Sequence, residues 1–404
     1  MSNFWYIDQM RLLFVADGRS PIAQNWMRYF VERGDEVYLA SSFACSMDFP
    51  LSGLEITPVA FSGMIRTNRP SGKPSYQGLR FSPLAAIRHL LGTLTISKAS
   101  QRLRGYIKRI NPDIVHAMRI PYEGMLAADA YTGVPLLVSV WGNDFTLHAP
   151  ANWLMRHYTS WTMQVADALH ADCQRDIRLA KEWGFEADRP KLVTPGNGGI
   201  RIGIFYPPSK LIEEPVVFNP RGLRTYVRND VFFQAIPIVL AKHPDAKFIC
   251  ASMAGEPQVL QWIDRFNLSG SVELMPPLPH AGMAEVFRRS QVVVSPGVHD
   301  GTPNSLLEGM ACGCFPVAGD LDSIREWITP GENGLVADAT DPQKLADVIL
   351  EALENKILRE RAAGLNQKLI LERAEYVRCM TKVAGFYQTI IDRGKKDDLT
   401  GSLH

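Results

Sequence analysis

Two blocks of this 404-residue chain alternate short apolar segments with helical segments, and this alternation restricts the fold more than any other feature. The apolar segments have the length of buried strands. In the first block they lie at residues 10–17, 36–41, 113–118, 135–142, 168–172 and 191–196. In the second block they lie at residues 215–220, 246–252, 272–277, 291–297, 315–320 and 334–338. Strands that alternate with helices predict parallel sheets with helical crossovers, so we expect an α/β protein with two doubly wound domains.

The helical segments complete this pattern. They are predicted at residues 22–34, 83–110, 229–243, 256–267, 280–290, 303–312, 341–353 and 355–371. A stretch rich in Gly and Pro, residues 194–210, separates the two blocks and predicts a linker. We therefore expect an amino-terminal domain over residues 1–205 and a carboxyl-terminal domain over residues 206–384.

The run from Val294 to Trp327 contains the most specific motif. An apolar strand leads through a polar loop at residues 299–302 into a helix, which Pro303 is predicted to open as its first residue. Gly313 is predicted to end this helix, and another strand follows. Loops of this kind, at the carboxyl ends of strands, are where open α/β sheets bind ligands.

Two acids, Asp300 and Glu308, lie eight residues apart in this loop and helix. Asn304 and Glu308 are four residues apart and share one face of the helix. The free backbone amides of the first helical turn, near Asn304 and Ser305, suit an anion. A nucleotide sugar fits this pattern, with Glu308 on the ribose diol, the amides on the diphosphate and Asp300 on the sugar hydroxyls.

This run resembles the acid-x7-acid signature of the retaining glycosyltransferases of the GT-B fold, family 4 (glycosyltransferase group 1). The matching residues are Asp300-Gly301-Thr302-Pro303, Glu308-Gly309-Met310-Ala311-Cys312-Gly313 and Pro316-Val317. The first acid is Asp where the family usually has Glu, and Pro303 removes one backbone amide.

The resemblance implies two Rossmann-like domains that face a central crevice. The carboxyl-terminal domain would bind the nucleotide sugar, and the amino-terminal domain would bind the acceptor. Base rates within the family favour UDP as the carrier of the sugar. A last helix, about residues 385–404, would cross back to complete the amino-terminal domain, with a disordered tail after Gly394. The implied reaction is a retaining, metal-independent hexosyl transfer in polysaccharide, glycolipid or other glycoconjugate synthesis.

The family places cations after the first strand of the carboxyl-terminal domain, where they hold the donor diphosphate. Arg221 occupies that place, and the second cation is Arg224 or Arg228, of which we favour Arg224. Fixed cations stabilise a departing diphosphate, so we expect no metal and no cofactor besides the substrate. Each arginine has the alternative of an ordinary surface position. The loop at Leu278 is expected beside the nucleotide base.

Strand ends of the first block supply candidates for the amino-terminal side of the crevice. They are Gly18, Ser20, His116, Trp141, Gly142, Asp144 and Asn197. Gly18 and Ser20 match a glycine-rich loop of the family only weakly, and the alternative is an ordinary turn. Trp141 stands where the family often has a His that touches the donor sugar.

Three of these candidates have further interpretations. Asp144 has either a polar role in the site or the role of a helix N-cap. His116 contacts the sugar or is a buried histidine with satisfied nitrogens. Asn197 belongs to a segment similar to the family's Pro-Asn-Gly hinge. The sequence Asp320-Leu321-Asp322 suggests a metal motif, but we interpret it as a helix N-cap region.

Charge and composition limit the classes of partner that we expect. Basic and acidic residues nearly balance, 43 against 42, which does not favour nucleic acid. The six cysteines are scattered, and no signal peptide or membrane span is recognised, so we expect a cytoplasmic protein. The segment 56–112 has no acid and ten basic residues, which are Arg66, Arg69, Lys73, Arg80, Arg88, Lys98, Arg102, Arg104, Lys108 and Arg109. This segment predicts either a solvated surface or a patch that binds an anion. The anion would be an anionic acceptor or the lipid headgroups of a membrane, contacted peripherally at the inner membrane face.

Other functions remain open at this stage. A nucleotide-sugar epimerase, an inverting transferase or a catalytically inactive scaffold of the same fold would share most of these motifs. A dinucleotide-binding oxidoreductase would need G-x-G-x-x-G after a first strand, and neither block contains it.

Overall fold

A computed structural model of the chain describes residues 9–59, 95–210 and 212–401, with side chains up to residue 396. These residues form two α/β units. Unit 1 contains the described residues up to Gly198 and those from Met380 onward. Unit 2 contains the described residues of Gly199–Cys379. The predicted α/β class is confirmed.

Unit 1 is built on a parallel sheet with the strand order β3-β2-β1-β4-β5-β6-β7. Its strands are β1 (Arg11–Ala16), β2 (Glu36–Ser41), β3 (Gly53–Ile56), β4 (Ile114–Ala117), β5 (Leu136–Val140), β6 (Ala168–Ala171) and β7 (Lys191–Val193). Its described helices are α1 (Pro21–Arg33), α2 (Ile96–Ile110), α3 (Met125–Asp129), α4 (Trp153–Val165) and α5 (Gln174–Glu182). The strand order reverses at β1 and β4, which is the switch point where doubly wound sheets bind ligands.

Unit 2 has a second parallel sheet, with the order β10-β9-β8-β11-β12-β13. Its strands are β8 (Val216–Asn219), β9 (Lys247–Cys250), β10 (Val272–Leu274), β11 (Val292–Ser295), β12 (Phe315–Gly319) and β13 (Leu335–Ala337). Its helices are α6 (Asn229–Lys242), α7 (Pro257–Phe266), α8 (His280–Arg288), α9 (Asn304–Ala311), α10 (Pro342–Glu354) and α11 (Lys356–Arg373). Strands β8, β11 and β12 are buried along their full length, as expected for a parallel sheet covered on both faces.

The division between the units falls inside the predicted linker but a few residues before the predicted boundary at 205. Ile200 exchanges backbone hydrogen bonds with Ala374 and Tyr376, and its side chain is buried in a core of unit 2. Phe205 is buried in the same core. These contacts assign residues 199–205 to unit 2.

The last helix, α12 (Tyr376–Gly401), supplies residues to unit 1 from Met380 onward. Tyr387 stacks on Phe30 of α1 with ring centroids 4.8 Å apart. The expected return of the last helix is therefore observed within unit 1. The expected disorder after Gly394 is wrong up to Gly401, where the helix ends, and the last three residues of the predicted tail lie outside the described residues.

A chain of buried hydrogen bonds ties α12 to the sheet of unit 1. Tyr387 Oη bonds His116 Nδ1, and His116 Nε2 bonds Ser139 Oγ at 2.8 Å. Ser139 Oγ bonds His170 Nδ1 at 2.9 Å, and His170 Nε2 bonds Thr194 Oγ1 at 2.9 Å. Burial lowers the pKa of His170 to about 4 and the pKa of His116 well below its usual value. Both rings are therefore neutral near pH 7.

We expect Tyr387→Phe to lower the free energy of unfolding by about 1–3 kcal/mol, because it leaves a buried imidazole nitrogen without its partner. Urea denaturation measures this change. The control is Tyr131→Phe, since Tyr131 is 40% exposed and its hydroxyl donates to Asp167 at the surface. Equal effects of the two variants would contradict a stabilising role for the buried network.

Within the described residues, no helix combines the length and the apolar character needed to cross a bilayer. Of the ten basic residues in segment 56–112, Arg66, Arg69, Lys73, Arg80 and Arg88 lie outside the described residues. The other five lie on α2, which ends at Ile110 as predicted.

Candidate functional site

The signature loop of unit 2, residues 296–303, is held by two neighbouring segments. Its backbone pairs with the loop after β8, since Val298 N–H donates to Tyr226 O and Arg228 N–H donates to Pro296 O, both at 2.9 Å. On the other side Gly319 lies so close to Gly297 that a Cβ at Gly319 would stand 2.0 Å from the Gly297 carbonyl oxygen. The sheet order, with β8 and β12 on either side of β11, dictates both approaches.

Helix α9 starts one residue later than predicted. Pro303 has an extended ψ of 104° and is the N-cap, not the first helical residue. Its carbonyl accepts from Leu306 N–H at 2.9 Å. Among the described residues, no acceptor is recorded for the amides of Asn304 and Ser305, the two predicted to meet an anion. Because Pro303 lies outside the first turn, its missing N–H does not reduce the number of free amides at Asn304 and Ser305.

Glu308 is the most unusual group of this region. Its side chain lies 8% exposed on α9, and no hydrogen bond or ion pair from the described residues is recorded for its carboxyl group. Burial raises its pKa to about 8. On the same face Asn304 Oδ1 is buried, and no described residue forms a hydrogen bond with it. Buried polar groups normally have partners, so two such groups on one helix face are suited to a ligand that supplies donors.

Arg221 and Asp300, both predicted from the sequence, are brought together. Arg221 Nη1 donates to Asp300 Oδ2 at 2.6 Å, and both side chains are largely buried, with 9% and 14% exposed. A cation and an acid thus share the entrance to the loop before α9. Gly301 and Thr302 complete this loop, where Trp327 Nε1 donates to Thr302 Oγ1 at 2.9 Å.

The other residues predicted to contact the nucleotide sugar differ in whether their side chains are exposed or already paired. Arg224 is exposed, and its Nη1 donates to Tyr226 Oη at 3.0 Å. Arg228 forms an ion pair with Asp230 at 2.8 Å, which occupies the guanidinium and disfavours a role on the donor. Leu278 lies in the turn between β10 and α8, at the carboxyl edge of the sheet where a base was expected.

Two asparagines that were not predicted as site residues position Arg221. Asn219, fully buried at the end of β8, accepts Arg221 N–H at 3.1 Å and donates to Asn229 Oδ1 at 2.8 Å. Asn229 in turn donates to the carbonyl of Gly222, which has a φ of +62°. A polar residue that ends an otherwise apolar strand, as in Val216–Asn219, is the signal that indicates such a role.

Gly18 and Ser20 have structural roles in unit 1. Gly18 N–H donates to Ser41 Oγ at 3.0 Å, and a Cβ at Gly18 would stand 2.4 Å from Cys45 Sγ. Ser20 caps α1 by accepting from Ala23 N–H at 3.5 Å. These contacts favour the alternative of an ordinary turn, and the assignment of a ligand loop at these two residues stays a prediction.

Trp141, Gly142 and Asp144 form one turn after β5. The buried Asp144 carboxylate accepts from Trp141 N–H at 3.1 Å and pairs with Arg119 at 2.8 Å. Asn143, not Asp144, precedes the next helical turn, so the N-cap alternative is wrong. Gly142 accepts from Arg175 at 2.6 Å. Trp141 retains a buried Nε1–H without a partner among the described residues.

His116 is 1% exposed, and both its ring nitrogens are bonded inside unit 1. The interpretation as a sugar contact is therefore wrong, and the alternative of a satisfied buried histidine is correct. Asn197 accepts from Asn25 at 2.6 Å through its backbone carbonyl, immediately before the division between the units.

Two of the acids that suggest a metal site, Asp320 and Asp176, form ion pairs with arginines. Asp320 pairs with Arg325 at 2.6 Å, in a run of turns rather than at a helix N-cap as predicted. Among the described residues, the cluster with metal-ligand spacing is Asp172, Cys173 and Asp176. Arg175 donates twice to Asp176, and burial raises the pKa of the Cys173 thiol. A neutral thiol and a paired carboxylate are poor metal ligands.

Family models match most of the chain. The model described as "Glycosyl transferases group 1" matches residues 216–355, and the model "Glycosyl transferase 4-like domain" matches residues 18–196. The first match contains Arg221, Asp300 and Glu308. The chain belongs to the group 1 glycosyltransferases. This result confirms the resemblance to group 1 glycosyltransferases seen in the signature run.

Solved structures support the same fold. A sucrose-phosphate synthase from Thermosynechococcus elongatus has a TM-score of 0.74 and 13% identity, over 96% of this chain and 100% of that chain. Anabaena HepE in complex with UDP-glucose has a TM-score of 0.69 and 16% identity, over 94% of this chain and 100% of that chain. The GT-B class predicted for this group 1 glycosyltransferase, with two Rossmann-like domains, is confirmed.

Relatives found by sequence match this chain over only part of their length. A phosphatidyl-myo-inositol mannosyltransferase of Mycobacterium leprae is 26% identical over 54% of this chain and 59% of that relative. A D-inositol 3-phosphate glycosyltransferase of Thermobispora bispora is 25% identical over 53% of each. The match therefore spans little more than half of each relative.

Proposed function

We propose that this chain transfers a sugar from a nucleotide-diphosphate sugar, with UDP as the carrier, to an acceptor of a glycolipid, polysaccharide or other glycoconjugate. Family membership supports transfer, and the complex of HepE with UDP-glucose supports the carrier. The inositol-linked substrates in the names of two relatives support a sugar or lipid-linked acceptor.

The observation that carries this proposal is that two groups on one face of α9, Asn304 Oδ1 and the Glu308 carboxyl group, have no hydrogen-bond partner among the described residues. A ribose diol offers two hydroxyl donors to a carboxylate, and a diphosphate accepts from the amides at the start of α9. Arg221 and Arg224 would stabilise the diphosphate as it leaves, and Asp300 would orient the transferred sugar. Positioning and charge stabilisation of this kind need no metal, which is part of the proposal.

Retention is the second part of the proposal, and it rests on the family signature. A front-face route would let the leaving phosphate oxygen take the proton of the acceptor hydroxyl. The new glycosidic bond would then form on the face that the nucleotide leaves. Peripheral contact of segment 56–112 with an anionic membrane stays a prediction.

Calorimetry with UDP, GDP and ADP in the presence of EDTA tests carrier and metal together. We expect UDP to bind with at least about tenfold preference, since base contacts discriminate by about 1.4 kcal/mol or more. Equal affinities would remove UDP as the carrier, and loss of binding in EDTA would contradict metal independence. NMR of the anomeric product then separates a retaining from an inverting transferase, and release of a free epimer would indicate an epimerase.

A further inference from the structure

Glu123 is a buried acid of unit 1 that was not predicted as a site residue. It lies in the irregular turn Ile120–Gly124, between β4 and α3, and only 5% of the residue is exposed. Ser42 Oγ donates to Glu123 Oε1 at 2.6 Å. Among the described residues, no bond from another residue is recorded for Oε2. A buried carboxyl group with one recorded partner retains hydrogen-bonding capacity for a ligand.

The bond between Glu123 and Ser42 crosses the end of β1. Ser42 follows β2 and Glu123 follows β4, and these two strands lie on either side of β1. Ser42 N–H also donates to the carbonyl of Ala16, the last residue of β1, at 3.0 Å. The Glu123 carboxyl group is therefore at the carboxyl edge of the sheet, at the switch point between β1 and β4 where doubly wound sheets bind ligands.

The backbone that holds Glu123 is strained. The preceding residue, Tyr122, has a φ of +69° and a ψ of −56°, values near those of the classic γ-turn, which is rare. Gly124 N–H donates to Arg119 O at 2.8 Å and closes the turn. Strain of this kind persists only where the surrounding structure enforces it, and it is concentrated at functional sites. Here the strained turn directs the Glu123 side chain toward the end of β1.

The carboxyl group of Glu123 is suited to an uncharged partner. Burial raises its pKa to about 7, against the opposing effects of the Ser42 hydrogen bond and the charge of Arg119. The charge of Asp17, after β1, contributes to the increase. Near pH 7 the group is protonated in about half of the molecules, and it then donates an O–H as well as accepting. Such a group pairs with a neutral hydroxyl, whereas a phosphate would add negative charge beside Asp17.

The arginines that follow β1 and β4 are already paired with acids. Arg19 donates twice to Asp17, at 2.9 Å each. Arg119 pairs with Asp144 at 2.8 Å and lies 5.5 Å from the centroid of the Trp141 ring. Trp141 is partly exposed, and its buried Nε1–H has no partner among the described residues. An indole with a free donor suits the hydroxyls and C–H groups of a sugar ring better than a phosphate does.

We propose that Glu123 binds a hydroxyl group of the acceptor, and that the part of the acceptor at this position is an uncharged polyhydroxy ring, such as a neutral sugar. Trp141 forms the neighbouring wall of this subsite and donates through Nε1. This inference rests on the proposed function, because it takes the transfer reaction as given. It adds a residue and a class of acceptor that the signature run in unit 2 does not specify.

Binding to a glycan array tests the subsite. The array carries neutral, phosphorylated and uronic acid-containing glycans, and the full chain is applied near pH 7 with and without UDP. We expect wild type to prefer neutral glycans to both acidic classes. Calorimetry with the neutral glycan that binds most tightly should give a Kd at least about tenfold higher for Glu123→Ala, because its hydrogen bonds to the hydroxyl are lost. Glu123→Gln keeps the volume, a donor and an acceptor, so its Kd should lie between those of wild type and Glu123→Ala.

Asp167→Asn is the matched control. Asp167 is a partly buried acid at the opposite edge of the same sheet, where its carboxylate accepts from Leu136 N–H at 2.8 Å. The control should bind glycans as wild type does. Circular dichroism and UDP affinity, both unchanged in Glu123→Ala, would show that the variant is folded and that its nucleotide site is intact.

The outcomes separate this inference from the proposed function. A wild-type chain that binds UDP but no neutral glycan would overturn the inference and leave the proposed function in place. Glycan binding that depends on Glu123, in a chain that does not bind UDP, would remove the proposed function and leave a sugar-binding subsite. Binding confined to acidic glycans, or equal binding of neutral glycans by wild type and Glu123→Ala, would also overturn the inference.

Discussion

At pH 9, where the Glu308 carboxyl group is ionised, Glu308→Ala is expected to raise the Kd for UDP about 100-fold or more. A carboxylate that accepts two hydroxyl donors contributes about 1.5–3 kcal/mol for each hydrogen bond, and 1.4 kcal/mol corresponds to a factor of ten. Glu308 has no recorded partner among the described residues, so the ligand is the source of these donors. Calorimetry with UDP measures the change.

Two further variants sharpen this test. Glu308→Gln keeps the volume of the side chain but not its charge, and its UDP affinity should lie between those of wild type and Glu308→Ala. Glu354→Ala removes an exposed acid of α10 and should leave the Kd unchanged. A Glu308→Ala protein that binds UDP as wild type does would show that the ribose assignment is wrong.

The same carboxyl group should make stability depend on pH. Below pH 4.5, Glu308 is protonated in both the folded and the unfolded chain. Between pH 4.5 and about 8 only the unfolded chain ionises it, so the free energy of unfolding decreases and then levels off above pH 8. Glu308→Gln lacks this loss, so at pH 9 it should be more stable than wild type by about 3–5 kcal/mol. Urea denaturation at pH 4 and pH 9 measures both limits, and equal differences at the two values would contradict the raised pKa.

The sequence motif identifies Glu308 as a ligand-binding acid. It does not reveal that the side chain is buried or that this burial lowers stability. The acid-x7-acid spacing located Glu308, but its burial depends on how α9 packs between β11 and the neighbouring helices. The helix start was also misplaced at Pro303, because proline is compatible with both the N-cap and the first helical position. Only the observed ψ distinguishes these two positions.

The positions of the strands were easier to predict from the sequence than the long-range hydrogen bonds between side chains. Apolar runs located most of the strands, since parallel strands are buried on both faces. The four-residue strand β3 was missed because two of its four residues are Gly and Glu. Helix α4 was also missed, although it carries Trp153 and Trp161, since its exposed tryptophans obscure the amphipathic pattern. The hydrogen bonds of His116 depend on α12, 271 residues away in sequence from β4, and no local signal specifies them.

Arg221→Met is expected to lower kcat about 100- to 1,000-fold, which is the usual cost of removing one fixed group that stabilises charge in the transition state. Arg221 is held by Asn219 and paired with Asp300, so its guanidinium lies in place before substrate binds. Negative charge grows on the diphosphate as the glycosidic bond breaks, and a cation already in place lowers that barrier. UDP release in the presence of the donor and acceptor measures kcat.

Arg228→Met is the matched control, because Arg228 follows the same strand but pairs with Asp230. It should lose less than about tenfold in kcat, as expected for a largely solvated pair.

Asp300→Ala should also reduce turnover far more than UDP affinity, since Asp300 is assigned to the sugar. Because Arg221 and Asp300 form one ion pair at 2.6 Å, the double variant should lose about as much as the worse single variant. Losses that multiply would show that the two groups act independently, and equal losses for Arg221→Met and Arg228→Met would remove Arg221 from the site.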